Sequence, residues 1–190
     1  LEDVNGRMAQ AGALVIRYRA YFVRRLQEAA PAVHRDFSGG REELSLTYQT
    51  VSSVSDPTAA PQKILEQLRD HQERHRQAEL DSRQCLSGPH KDDLLVELDG
   101  RSAKTYGSQG QTRTAALSLK LAQRDIFFQE TGEYPVLLLD DVLSELDARR
   151  QAFVLNHIQG GQIFITCCEE EKLEGLEGGA AFHIHGGALV

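Results

Sequence analysis

The chain has 190 residues, enough for one medium domain or for a lobe with an appendage. Its 41% apolar and 26% charged residues are those of a soluble globular protein, no apolar run reaches membrane-spanning length, so no membrane partner is expected, and the cysteine usage fits a reducing, cytoplasmic setting. A net charge of −7 excludes a uniformly basic nucleic-acid binder, and three cysteines (Cys85, Cys167, Cys168) have neither zinc spacing nor the parity of a disulfide framework.

The sequence opens on Leu1 with an amphipathic pattern already running, so it reads as the C-terminal part of something longer. From Leu1 to about Ala30, Val4, Met8, Ala11, Val15, Tyr18, Phe22, Leu26 and Ala29 follow one another in steps of three and four. That stripe predicts one long helix packed along a partner, with Pro31 closing it or beginning a new turn. Arg17 and Arg24 lie seven apart on one face of this helix, a solvated face or a phosphate contact. Ser38-Gly39-Gly40 is a turn, and the alternation from Leu44 to Val51 predicts a half-exposed strand. A polar loop then leads to Pro61, which suits a helix start, with Ile64, Leu65 and Leu68 as its apolar beginning. His71 and His75 share a face further along, but the acid does not follow the first histidine as zinc proteases require, so they read as solvent-facing rather than metal-binding.

Gly88-Pro89 predicts a tight turn before the run His90-Lys91-Asp92-Asp93, with His90 read as a structural histidine. A hairpin follows, from Leu94 to Leu98, through Asp99-Gly100, to a short strand at Lys104-Thr105-Tyr106. Gly107-Ser108-Gln109-Gly110-Gln111 leads into a helix expected from Thr112 to about Glu130, apolar over a wide arc and so mostly buried. The N–H groups of Gly110, Gln111 and Thr112 are expected to be unpaired there and the helix dipole is positive, which makes an anion site suited to a γ-phosphate, with the Ser108 hydroxyl as a further donor. Arg113, Lys120 and Arg124 are placed on one face of it, along a phosphate or DNA surface or as a solvated rim.

Val136 to Leu139 are four consecutive apolar residues after Pro135, expected to form a strand buried on both faces of a mostly parallel sheet. Asp140 and Asp141 follow at its carboxyl end, the edge where α/β sheets bind ligands. An acid pair delivered there by an apolar strand is the Walker B arrangement, one acid for Mg²⁺ and the next for the attacking water. Ala148 to His157 is a helix ended by Gly160-Gly161, and Gln162 to Thr166 is a second buried strand, which together make a β-α-β crossover. Phe182 to His185 and Ala188 to Val190 close the chain as a hairpin.

The loop Ser108-Gln109-Gly110-Gln111, the acid pair and Ser144-Glu145-Leu146-Asp147 together resemble the signature motif, Walker B and D-loop of ABC-type ATPases. With Gly88-Pro89-His90-Lys91-Asp92-Asp93 the resemblance narrows to the RecF family of DNA-repair ATPases, densest from Leu86 to Thr166. Lys91 stands where Arg is common, and Thr166 stands where the wider superfamily has a γ-phosphate-sensing histidine. The resemblance implies an α/β ABC-head lobe at residues 85–190, preceded by a mainly helical arm at 1–84 with a short strand segment. Two ATP molecules would be clamped between the P-loop of one subunit and the Ser108–Gln111 loop of the other. Asp140 would hold Mg²⁺, Asp141 would act on water, Thr166 would lie by the nucleotide, and Ser144 to Asp147 would communicate across the dimer. The family role implied is recombinational repair at gapped DNA, with RecR and RecO helping to load RecA. The sequence contains no Gly-Lys pair and hence no P-loop, so this chain alone is expected to bind ATP weakly and to show no turnover. An SMC-type or transporter ABC head, and a non-catalytic interaction module, stay open as alternatives.

Overall fold

A computed structural model describes residues 2–158, 160–169 and 178–190. The chain forms two compact units, Leu1–Ile126 and Phe127–Val190.

The first unit is built on α1, Glu2–Ser38, a helix of 37 residues. Its packed seam is Ala9, Ala13, Ile16, Ala20 and Val23, continuing to Ala30, His34 and Phe37. This corrects the expected stripe: Val4, Met8, Val15, Tyr18 and Phe22 lie on the opposite, exposed side, Tyr18 at 72%. The small residues win because they allow close approach. A Cβ on Gly12 would lie 3.1 Å from Pro89 Cδ and 3.5 Å from Leu68 Cδ1. The helix also runs past Pro31 rather than ending there. Continuing it buries His34 and Phe37 completely, which offsets the roughly 3 kcal/mol cost of an interior proline.

Two further helices, α2 (Pro61–Arg74) and α3 (Arg76–Ser82), follow a strand, β1 (Leu44–Gln49). Ile64 and Leu68 of α2 join Ala9, Ala13, Ile16, Val51 and Val54 in one cluster. β1 pairs antiparallel with β2 (Asp93–Leu98), from Leu44 opposite Leu98 to Gln49 opposite Asp93. β2 turns through Asp99 and Gly100, both at positive φ (50° and 72°), into β3, Arg101–Ser102. Two left-handed central residues suit the twist of a two-residue hairpin, which is why Asp-Gly serves here. The second hairpin strand is shorter than expected: α4, Ala103–Tyr106, takes the place assigned to Lys104–Tyr106. Burial of Ala103 and the bond from the Gly107 N–H to its carbonyl (3.0 Å) close that helical turn. The longer α5, Gln109–Thr131, starts three residues earlier than predicted, and its Ala115, Ala122 and Ile126 pack with Leu26, Ala30, Leu44, Leu46 and Leu98.

In the second unit β4 (Leu137–Asp140), α6 (Ala148–His157) and β5 (Ile163–Thr166) form the expected crossover, with β4 and β5 parallel. The register sets Leu138 beside Phe164 and Asp140 beside Thr166. Burial on both faces is not what forms: Leu139 is buried but Leu138 is 71% exposed. Side chains alternate across a sheet, and the described residues of this unit cover one face only. Gly160 has φ +77° and lies against the Tyr134 ring, which itself stacks on Phe128 at 4.0 Å. A short hairpin, β6 (Ile184–His185) with β7 (Ala188–Leu189), completes the described chain. Among the described residues no helix is long and apolar enough to cross a membrane.

Candidate nucleotide site

The candidate site residues lie on two elements, one in each unit. In the second unit, β4 ends at Asp140 and the chain turns sharply at Asp141, whose φ is +47°. Left-handed backbone is costly for most side chains but tolerated by Asp and Asn. The turn is braced from three sides. Thr166 Oγ1 donates to Asp140 Oδ1 at 2.5 Å and accepts the Asp141 N–H at 3.0 Å. Ser144 Oγ donates to the Asp141 carbonyl at 2.9 Å. Beyond a 3₁₀ turn, Leu143–Glu145, Asp147 caps α6: its Oδ1 accepts the Arg150 N–H and its Oδ2 the Arg150 guanidinium, each at 2.9 Å. Gln151, which nothing in the sequence pattern marks, donates its amide to the carbonyls of Leu143 and Leu146, 2.9 Å each. The Ser144–Asp147 stretch is thus a preformed cap rather than a loose loop.

The acid pair suits a magnesium–nucleotide site. Asp140 is exposed, and Mg²⁺ is ordinarily held by one or two carboxylates together with substrate phosphates rather than by a full protein cage. Among the described residues there is no group of three or more His, Cys, Asp or Glu that could hold a metal ion by itself.

In the first unit, Ser108 and Gln111 form a reciprocal capping box at the start of α5. The Gln111 N–H donates to Ser108 Oγ at 3.2 Å, and the Ser108 N–H donates to Gln111 Oε1 at 2.9 Å. Thr112 bonds back to the Ser108 carbonyl at 2.9 Å. This corrects the expectation that the amides of Gln111 and Thr112 are open: the first-turn donors outside the box are those of Gln109 and Gly110. The Ser108 hydroxyl, accepting from Gln111, keeps its own proton to give. The helix dipole favours an anion at this end.

The basic residues separate. Arg17, Arg24 and Lys120 are exposed, Arg24 being 3.7 Å from Glu28, and Arg113 is half-buried. Arg124 is only 5% exposed, so the expected row Arg113–Lys120–Arg124 is not one cationic face. Four residues beyond Lys120, the helix has turned Arg124 toward the buried Leu117 and Leu121. Burial pushes the neighbouring Asp125 carboxyl up, against the opposing effect of Arg124.

Asp92 is a further structural centre. Its side chain, 3% exposed, takes Arg19 Nη1 at 2.8 Å, the Tyr48 hydroxyl at 2.6 Å and Thr50 Oγ1 at 2.7 Å. Burial, with the Asp92 carboxylate beside it, raises the Tyr48 phenol well above its ordinary range. His90 Nε2 donates to the Cys85 carbonyl at 2.8 Å, the structural role read from sequence. His71 and His75 stack at 4.0 Å, with His71 Nδ1 on Ser87 Oγ at 2.5 Å and His75 Nδ1 donating to the His71 carbonyl.

A parallel crossover with an acid pair at its ligand edge, and a capped Ser-Gln-Gly-Gln helix start, are the elements of an α/β lobe of the ABC-type ATPase head. No family model matches the chain. It is 43% identical over its whole length to the DNA replication and repair protein RecF of Bacillus subtilis (strain 168), covering 52% of that protein. It is 38% identical to RecF of Alkaliphilus oremlandii (strain OhILAs), again over all of this chain and 52% of the relative. A solved structure described as the recombination mediator protein RecF with ATPrS in the RecFOR pathway superposes with a TM-score of 0.84 at 34% identity, covering all of this chain and 49% of that one. The corresponding structure with ATP gives a TM-score of 0.82 at 33% identity, with the same coverage. The chain is similar over its whole length to RecF proteins, and it spans about half the length of the curated relatives it matches.

Proposed function

We propose that this chain supplies the signature loop, Walker B acids and D-loop of a RecF-type DNA-repair ATPase, corresponding to the C-terminal part of that protein. The observation that carries the reading is the acid pair at the end of β4, joined through Thr166 to the end of β5. Asp140 would hold Mg²⁺, which when bound neutralises charge on the nucleotide's β- and γ-oxygens. Asp141 would orient or deprotonate the attacking water. Gln109 and Gly110 amides and the Ser108 hydroxyl would meet the γ-phosphate of a nucleotide held by another subunit, with Gln111 fixing the loop. Ser144 and Asp147 would lie at the subunit interface. The whole protein would dimerise with ATP on DNA at gaps in the cytoplasm and act with RecR, RecO and RecA. Arg17, Arg24, Arg113 and Lys120 are the candidate DNA contacts. On motif content we place an arm at residues 1–84 and the ATPase lobe at 85–190.

The test compares ATP and Mg²⁺ binding by this chain with binding by a form extended N-terminally through a P-loop segment. Binding and DNA-dependent dimerisation by the extended form alone is the expected result. Tight nucleotide binding by the present chain would overturn the assignment. In the extended form, Ser108→Arg should abolish dimerisation while leaving ATP affinity within about threefold, because the loop acts on the other subunit's nucleotide.

A further inference from the structure

Asp141 is gripped at both of its backbone polar groups by hydroxyl side chains from two different elements. Its N–H goes to Thr166 at the end of β5, and its carbonyl receives Ser144 from the turn before α6. It is also the one residue of the acid pair with left-handed backbone. That conformation costs a residue with a Cβ about 1 kcal/mol and persists where the surroundings over-determine it. Two hydrogen bonds of ordinary strength suffice to do so.

We propose that Thr166 and Ser144 are positioning residues that clamp Asp141 in this left-handed turn and thereby fix where both carboxylates of the pair point. The proposal rests on the reading of Asp140 and Asp141 as the acids of a cation–nucleotide site. It reassigns Thr166. A hydroxyl has one proton, and that of Thr166 is committed to Asp140 Oδ1 at 2.5 Å while its oxygen accepts from Asp141. In this state it has no proton to offer a phosphate, so Thr166 does not take over the sensing role of a histidine. It links the cation-side acid to the backbone of the water-side acid through one oxygen atom. Ser144, in the stretch resembling the D-loop, makes the placement of Asp141 depend on the conformation of that stretch. A movement of the turn at Leu143–Glu145 therefore reaches Asp141 through its carbonyl.

The experiment uses backbone NMR of this chain with Thr166→Val, Thr166→Ser and Ser144→Ala. Loss of the Thr166 bond should speed hydrogen exchange of the Asp141 amide about tenfold, the value of one hydrogen bond, and shift its backbone signals toward negative φ. Thr166→Ser should restore both, and Ser144→Ala should move the signals in the same sense as Thr166→Val. Amide signals of the first unit serve as the folding control. Added Mn²⁺ is the probe of the acids: it should broaden Asp140 and Asp141 before the exposed Asp56, and Thr166→Val should change the ratio of broadening between the pair. Unchanged Asp141 exchange and an unchanged ratio in Thr166→Val would overturn the clamp. If Mn²⁺ spares both acids in the unsubstituted chain while the exchange effect stands, the clamp survives and the cation-site reading fails.

Discussion

Replacing Asp92 with alanine should be among the most damaging single changes in the first unit. The carboxylate is 3% exposed and holds three partners contributed by α1, by β1 and by the residue just after it. The two hydroxyl bonds to a charged acceptor are each worth about 1.5 kcal/mol at the low end, hence roughly 3 kcal/mol together. Arg19 is 49% exposed, so its ion pair is discounted to about 0.5 kcal/mol for solvent screening. The expected loss is therefore about 3–4 kcal/mol, a large share of a typical domain's 5–15 kcal/mol. Asp92→Asn keeps one acceptor oxygen and should lose about half as much. Urea unfolding followed by circular dichroism reads the loss, and ultraviolet titration of the tyrosines provides a second signal. In the unsubstituted protein the Tyr48 phenol is held well above its ordinary range, first by burial and then by the carboxylate. Asp92→Asn should bring it down toward that range. An Asp92→Ala protein within about 1 kcal/mol of the parent would refute the reasoning, since the partners would then be satisfied without it.

Ser108→Ala removes the capping box of α5 and should cost about 1 kcal/mol in the same unfolding experiment, while Ser108→Asp, which keeps an acceptor, should cost less. Gly12→Val forces side-chain atoms toward Pro89 and Leu68 and should destabilise by about 1–3 kcal/mol, whereas Gly6→Ala, with nothing within 4 Å of its Cβ, should be neutral or slightly stabilising. Desolvation, with His75 beside it, lowers the His71 pKa below its ordinary 6.5, against the opposing pull of Glu79. The unfolded chain therefore binds the proton more readily, so stability falls as pH drops below about 6.5 toward the lowered value and is flat above it. His71→Gln should flatten that slope, and an unchanged pH dependence of the unfolding midpoint would remove His71 as its source.

What was legible in the sequence is what local chemistry decides. Asp-Gly and an apolar run ending in two acids each name their own geometry, and the hairpin turn and crossover formed where those residues stand, whereas the Ser108–Gln111 capping box was missed although Ser-x-x-Gln is its local signature. The seam of α1 was not legible because the helix has two apolar stripes of the same period. The larger residues favour one on hydrophobicity, but only the other lets Leu68 and Pro89 come close. Pro31 misled for a related reason, since the burial that overrules it comes from residues far along the chain. His34 meets Ser118 of α5 at 3.0 Å, 84 positions away. The Asp92 centre joins residues 42 to 73 positions apart, a distance over which no spacing rule reaches. Arg124 was misplaced because a four-residue step turns a helix by more than one full revolution, enough to carry a cation from the rim into the buried arc.

The pairing of Asp140 with Thr166 also sets the strand alignment itself. β5 reads Ile-Phe-Ile before Thr166, apolar at each of those positions, so hydrophobicity alone scarcely prefers one alignment with β4 over its neighbour. The hydroxyl–carboxylate contact at the ends of the two strands does prefer one, because a slip by one residue would set Ile165 or Cys167 beside Asp140. A single-residue insertion between α6 and β5 could thus leave a strand that still pairs and still buries aliphatic side chains, yet carries no oxygen where the acids need it. Strand alignment and the placement of the acid pair share one contact here, and a loop-length change that looks harmless by packing would separate them.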